Sequence, residues 1–456
     1  MFKNILLNTD SYKCSQFNQY PPGTEYIYSY IESRGGDWDS TVFFGLQVFL
    51  KEYLVKPITM EDINEAEAII TAHGEPFYRE GWEYILDRYQ GKLPVLIKAA
   101  PEGAIIPIKN VLVTIENTDP KCWWLTSYLE TAILRAVWYP TTVATNSYES
   151  KKIILKYLNK TGDPNSIDFK LHDFGFRGVS SFESAGLGGM AHLVNFMGTD
   201  TIASLLYARK YYDADIAGFS IPAMEHSTVT SWGKENEINA YRNMLNQYAK
   251  PGTLVAAVSD SYDIYNACKL WGTELKQEVI DSGAIIVIRP DSGEPAEVVV
   301  RCLKILEKYF GTVTNSKGYK VLNNVRIIQG DGIDHISINR ILYCMELADY
   351  SADNVNFGQG GALLQMVNRD TMKWAMKCSA AKINGEWVSV YKNPITDNNK
   401  QSKKGRVTLF RNNDGTYYSG VEDWNKSALN IVFNNGEIVK TYSFQEVRDR
   451  AKELIK

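Results

Sequence analysis

The sequence predicts an α/β fold in which a βα barrel is flanked by a β-rich α+β domain built from both chain ends. Three observations predict it. Between residues 167 and 365, seven short apolar runs end in small and charged residues near His172, Gly198, Glu225, Asp260, Asp291, Asp331 and Gly358, 26 to 40 residues apart. Helical stretches such as Glu294 to Tyr309 lie between them. On either side of this region the chain carries aromatic-rich and alternating strand patterns. Alternating strands and helices give a parallel sheet, whose buried strands read as unbroken apolar runs. Charge and glycine at many successive strand ends suit the rim of a barrel better than the single switch point of an open sheet.

In chain order, residues 1–150 form the first part of the flanking domain. Residues 24–31 read as a strand. Thr59-Met60-Glu61-Asp62, followed by Ile63, Ala66, Ile69 and Ile70 and closed by Gly74, reads as a capped amphipathic helix. Pro120 to Val137 reads as a second helix. Residues 151–375 form the barrel: Leu171 leads to His172-Asp173, Phe196 to Gly198-Thr199-Asp200, and Phe219-Ser220-Ile221 to Glu225-His226. Residues 254–258 lead to Ser259-Asp260, 284–288 to Arg289-Pro290-Asp291, 325–328 to Gln329-Gly330-Asp331, and 355–357 to Gly358-Gln359-Gly360-Gly361. Residues 376–456 complete the flanking domain, with strands at 387–391 and 407–410. A terminal helix is announced by the capping box Ser443-Phe444-Gln445-Glu446.

Composition narrows the function. The 456 residues carry 49 Lys and Arg against 53 Asp and Glu, a net charge of −4. No global basic field marks a nucleic-acid binder, while a few local cations still suffice for an anionic small molecule. Six cysteines show no C-x-x-C pair or zinc spacing, as expected for reduced thiols in a cytoplasmic protein. The N-terminal apolar run is too short for a signal peptide, and no stretch of 18 apolar residues predicts a membrane span.

No Walker A, G-x-G-x-x-G, H-E-x-x-H or G-x-S-x-G motif is present. Gly358-Gln359-Gly360-Gly361 opening an apolar stretch can cradle a phosphate with backbone N–H groups, or be only a tight loop. Arg289 and Asp291 at one strand end pair a phosphate-gripping cation with a carboxylate for ribose or Mg²⁺, or form a salt-bridged loop. The Asp pairs 260/263 and 331/334 add acids to neighbouring ends. His226, after Glu225, is a candidate base or phosphate-accepting nucleophile, or else a structural histidine. Lys392 to Arg406 is a cationic loop, either a phosphate clamp or a solvated surface.

Several long blocks resemble the nicotinamide phosphoribosyltransferases: Asn8-Thr9-Asp10-Ser11-Tyr12-Lys13, Leu171-His172-Asp173-Phe174-Gly175-Phe176-Arg177-Gly178, Gly198-Thr199-Asp200-Thr201 and Glu225-His226-Ser227-Thr228. So do Val258-Ser259-Asp260-Ser261-Tyr262-Asp263, Ile288-Arg289-Pro290-Asp291-Ser292-Gly293, Gln329-Gly330-Asp331-Gly332 and Ser402-Lys403-Lys404-Gly405-Arg406. The resemblance implies an irregular βα barrel of the type II phosphoribosyltransferase kind with a flanking domain. It implies a homodimer with active sites at the subunit interface, and synthesis of nicotinamide mononucleotide from nicotinamide and phosphoribosyl pyrophosphate in NAD salvage. Phe174 would stack on the nicotinamide ring with Tyr12 of the other subunit, Asp200 would accept from the carboxamide, Ser220 and Ser259 would line the tunnel, and Arg289 would lie along the ring. Gly330, Asp331, Gly361 and Arg369 would hold ribose and 5′-phosphate, and Arg177 the pyrophosphate. Arg34, Lys377, Lys392 and Lys400 would reach across the dimer to phosphates. ATP would be a co-substrate that phosphorylates His226, with Glu225 adjacent and Asp263 orienting the ring. Mg²⁺ would be held mainly through substrate phosphates, with Asp291 as the protein candidate. A nicotinate phosphoribosyltransferase, or a non-enzymatic binding protein on the same fold, is the alternative; Asp200 favours the amide base. Phe176, Ala362 and the short loop after Arg34 depart from common relatives.

Overall fold

A computed structural model describes residues 4–396, 401–421, 423 and 426–452. Its centre is a six-stranded parallel sheet in the order Gly198–Thr199, Leu171–Asp173, Val355–Gln359, Val325–Gln329, Ile285–Arg289, Leu254–Val258. The two edge strands meet through residues 219–223. Phe219 bridges to Gly198 and Ala223 to Ala256, both parallel, which completes the ring. This seventh segment, expected as a strand, makes only these single bridges. Pro222 in its middle has no N–H to give to a ladder.

The strands alternate between two apolar faces. Val255, Ala257, Ile286, Ile288 and Ile327 face the outer helices and share one large core with them. Ala256, Val287 and Ile328 face inward, where Phe174 and Ile221 cover them. Three outer helices start with side-chain caps. Asp263 accepts from Tyr265 and Asn266 N–H ahead of Ile264–Gly272. Glu294 caps Pro295–Phe310, and Asp334 forms a capping box with Ser337 ahead of His335–Leu347. Each cap is worth about 1 kcal/mol.

The flanking domain is a seven-stranded antiparallel sheet in the order Glu386–Ser389, Trp374–Ile383, Thr24–Ser33, Val111–Asn117, Val95–Ala99, Asn430–Asn434, Glu437–Ile438. Thr24–Ser33 pairs with Trp374–Ile383 along its whole length, so strands from opposite ends of the chain lie side by side. The helices Met60–Ala72 and Phe444–Lys452 begin at the Thr59 and Ser443 capping boxes. The second expected helix differs. Short turns at Pro120–Cys122 and Leu125–Tyr128 precede one 32-residue helix, Glu130–Thr161, which runs through Pro140. A Cβ on Gly45 would stand 2.4 Å from the Pro140 ring, so the neighbouring chain is built to pass close by the proline. This helix crosses the expected boundary at 150/151, and Trp374–Ile383 crosses that at 375/376. No helix among the described residues is long and apolar enough to cross a membrane.

Candidate active site

The C-terminal strand ends gather the polar residues. Phe174 follows Leu171–Asp173, and its N–H is held by the Gln359 carbonyl at 3.0 Å. Its ring packs close to the backbone of two neighbouring strand ends: a Cβ on Gly358 would stand 2.0 Å from Cε2, and one on Gly330 3.3 Å from the same atom. Glycine is required there because the ring occupies the space, not because of an unusual φ. A Cβ on Gly330 would also stand 3.6 Å from Asp291 Oδ1, so the Phe174 ring and the Asp291 carboxylate both approach this backbone position. Asp200, after the next strand, accepts a hydrogen bond from Ser220 Oγ at 2.6 Å.

Asp291, Arg289, Asp260, His226 and Asp331 form one electrostatic group. Burial raises the Asp291 carboxyl above the ordinary range; Arg289 opposes this, Asp260 reinforces it, His226 opposes and Asp331 adds to it. Arg289 sits 3.8 Å from Asp291, and its Nε is buried without a partner. His226 Nε2 lies 2.8 Å from Asp260 Oδ1, and Ser292 Oγ donates to Asp260 Oδ2 at 2.7 Å. Glu225 accepts from the Ser227 hydroxyl and is exposed. Arg177 is exposed on the turn Phe176–Gly178. Gly361 starts the short helix Gly361–Leu364 with open space around it, room for a ligand to approach the backbone.

Two expected roles fall to other residues. Asp263 does not orient His226: its carboxylate is taken up by the cap of Ile264–Gly272, and Asp260 binds the imidazole instead. Ser259 does not line the tunnel. It is fully buried on the outer face, where its hydroxyl donates to the Ala257 carbonyl and accepts from Trp271 Nε1 at 3.2 Å. Ala256 is the inward-facing residue of that strand.

The remaining cations lie on the flanking sheet. Burial lowers the Lys377 pKa; Glu130 opposes this, and Arg34, Lys13 and Lys392 lower it further, so these cations crowd together. Arg369 lies in the turn before Trp374–Ile383, which is hydrogen-bonded to residues 34 and 37, and it pairs with Asp370 at 3.4 Å. Tyr12 is 55 % exposed on the same domain. Lys400 lies outside the described residues. A cavity of about 310 Å³ opens elsewhere, between the long helix and the helices Phe182–His192 and Ile202–Tyr212; none of the strand-end acids lines it.

Among the described residues no preformed group of three or more His, Cys, Asp or Glu could hold a metal. Asp260, Asp291 and Asp331 nonetheless offer hard oxygen donors that suit a Mg²⁺ already carried by phosphates.

A sequence profile of the nicotinate phosphoribosyltransferase (NAPRTase) family matches residues 169–437. A profile of the N-terminal domain of nicotinamide phosphoribosyltransferase matches residues 4–97. The chain is 56% identical to a nicotinamide phosphoribosyltransferase of Xanthomonas campestris pv. campestris, covering 98% of each chain. It is 31% identical to one of Acinetobacter baylyi, covering 99% and 98%. Among solved structures, nicotinate-nucleotide pyrophosphorylase from Pyrococcus furiosus matches with a TM-score of 0.63 at 16% identity, covering 99% of this chain and 95% of that one. Human nicotinic acid phosphoribosyltransferase matches with a TM-score of 0.59 at 14% identity, covering 97% and 93%. At these identities the structural likeness is one of fold.

Proposed function

The chain belongs to the nicotinate phosphoribosyltransferase (NAPRTase) family, among its nicotinamide phosphoribosyltransferases, and from that premise we propose that it makes nicotinamide mononucleotide and pyrophosphate from nicotinamide and phosphoribosyl pyrophosphate in NAD salvage. Its fold is the irregular βα barrel of the type II phosphoribosyltransferases. The observation that carries the choice of base is the Ser220–Asp200 pair, tied through the Asp200 N–H to the carbonyl of Asp173, the residue before Phe174. The ring offers a face for offset stacking on a pyridine. Asp200, with one oxygen already bonded to Ser220, can accept from a carboxamide N–H₂ and repels the carboxylate of nicotinate.

In the chemical step the bond from ribose C1′ to pyrophosphate breaks while the pyridine nitrogen bonds to C1′. Stacking holds that nitrogen in line, so proximity supplies much of the acceleration. Asp291, close to the Gly330 backbone that Phe174 also approaches and paired with Arg289, would face positive charge developing on the ribose. Arg177 and the Gly361 backbone are placed for the phosphates. Bound Mg²⁺ would neutralise charge on the leaving pyrophosphate, with Asp291, Asp260 and Asp331 as the nearby donors.

The exposed strand-end site, the exposed Tyr12 and the crowded cations of the flanking sheet support a homodimer in which one subunit's Tyr12, Arg34, Lys377 and Lys392 complete the other's site. ATP stimulation through His226 is part of the same reading. An ionised Asp260 holds the hydrogen on Nε2, which leaves Nδ1 with the free lone pair to accept a phosphoryl group. Asp200→Ala tests the base assignment: its turnover of nicotinate should rise relative to nicotinamide, and an unchanged ratio would refute the role of Asp200.

A further inference from the structure

Asp173 ends the Leu171–Asp173 strand and is fully buried. Oδ1 accepts the Gly175 N–H at 2.7 Å. Oδ2 is buried and makes no well-formed hydrogen bond; the nearby buried Thr201 hydroxyl gives it only a weak contact, which favours the charged form. The leading charged influence on it is the like charge of Asp200. The carboxylate fits only because residue 189 is glycine, where a Cβ would stand 2.8 Å from Oδ2. Gln359, its register partner, also has both amide atoms buried and unpartnered. Folding alone would favour a neutral side chain here, because an incompletely satisfied buried carboxylate opposes stability.

The same residue touches both groups that meet the base. Its carbonyl accepts the Asp200 N–H at 2.9 Å. Its carboxylate accepts the N–H of Gly175, the residue after Phe174. The turn bearing Arg177 follows at once. Resting on the base-binding roles given above to Phe174 and Asp200, we propose that Asp173 is a positioning residue whose ionised carboxylate locks the Asp173–Gly175 turn and so fixes the Phe174 ring relative to Asp200.

Burial pushes the Asp173 carboxyl up to about 6; the Gly175 N–H and the Thr201 hydroxyl oppose this, and Asp200 adds to it. Tyr139 faces it from the long helix, its phenol raised by burial and by Asp173, and His172 precedes it in the chain. A carboxyl raised in the folded state penalises the fold in full above about 6, and the penalty fades as pH falls from about 6 towards the ordinary 3.8. Binding runs the other way: protonation weakens the charge-assisted hydrogen bond to Gly175, so the nicotinamide KM rises below about pH 6.

The test compares the parent with the isosteric Asp173→Asn. The variant should melt higher than the parent at pH 7.5, with the gap narrowing by roughly half at pH 5. Its nicotinamide KM at pH 7.5 should be about fivefold higher, from the lost charge assistance of one hydrogen bond, and should no longer change between pH 7.5 and 5. Thr201→Val, which removes a group favouring ionisation, should move the parent's KM inflection to higher pH, and this arm stands if Asp173→Asn fails to fold. A parent KM flat across this range, or an Asp173→Asn KM and profile equal to the parent's, overturns the inference. If the parent forms no mononucleotide, the functional reading fails by itself. Calorimetric affinity for nicotinamide then replaces KM as the readout for Asp173, with the same fivefold criterion.

Discussion

Replacing Gly358 by alanine tests the placement of Phe174 directly. The added Cβ would stand 2.0 Å from Cε2 and 2.2 Å from Cδ2 of the Phe174 ring. Carbon contacts are comfortable only from about 3.5 Å, so the ring has to retreat by roughly 1.5 Å. The strand cannot yield instead, because Val355–Gln359 is paired on both sides. Overpacking of this kind costs about 1–3 kcal/mol, and loss of a well-offset stack costs about 0.5–1.5 kcal/mol of binding. A ring displaced by more than 1 Å also misaligns the pyridine nitrogen. The expected outcome is a nicotinamide KM about tenfold or more above the parent's, with the phosphoribosyl pyrophosphate KM changed less than twofold. Steady-state kinetics at saturating co-substrate reads both, and a melting curve confirms that the variant is folded. A folded Gly358→Ala enzyme with the parent's nicotinamide KM would refute the idea that this glycine exists to seat the ring.

Gly361→Ala should show the opposite pattern. Its Cβ meets no protein atom within 4 Å, so the fold should be untouched while the phosphoribosyl pyrophosphate KM rises several-fold from blocked access to the backbone. Ser220→Ala removes the hydroxyl bonded to Asp200 and should raise the nicotinamide KM about threefold to fivefold, measured in the same assay. Asp260→Asn removes the charge that holds the His226 Nε2 hydrogen; incorporation of acid-labile phosphate from ATP should fall about tenfold, and undiminished labelling would count against the orienting role.

The barrel was legible because parallel strands buried on both faces leave unbroken apolar runs, and each run ended where a loop had to supply polar groups. The 219–223 segment was misread because apolar content marks burial, whereas pairing needs N–H groups that Pro222 lacks. The exchange of Asp263 for Asp260 has a local signal: Asp263 directly precedes the apolar Ile264, the mark of a helix cap. Ser259 was assigned to the tunnel through resemblance, and a strand's period of two separates its faces without saying which parity looks inward. The glycine-rich Gly358 to Gly361 combines two requirements that sequence cannot separate, space for an aromatic ring at one end and open backbone at the other. Glu130–Thr161 and Trp374–Ile383 each run without a break across a boundary read from the sequence. The Arg34 and Lys377 cations were identified through resemblance. Their crowding on the flanking sheet became visible only when distant strands were brought together.

The most direct test is a mononucleotide-formation assay with the full-length protein, phosphoribosyl pyrophosphate and Mg²⁺, offering nicotinamide and nicotinate side by side, with and without ATP. The expected result is nicotinamide mononucleotide and pyrophosphate in equal amounts, little or no product from nicotinate, and faster synthesis with ATP. Equal turnover of the two bases would contradict the role given to Asp200, and absence of any mononucleotide would contradict the function itself.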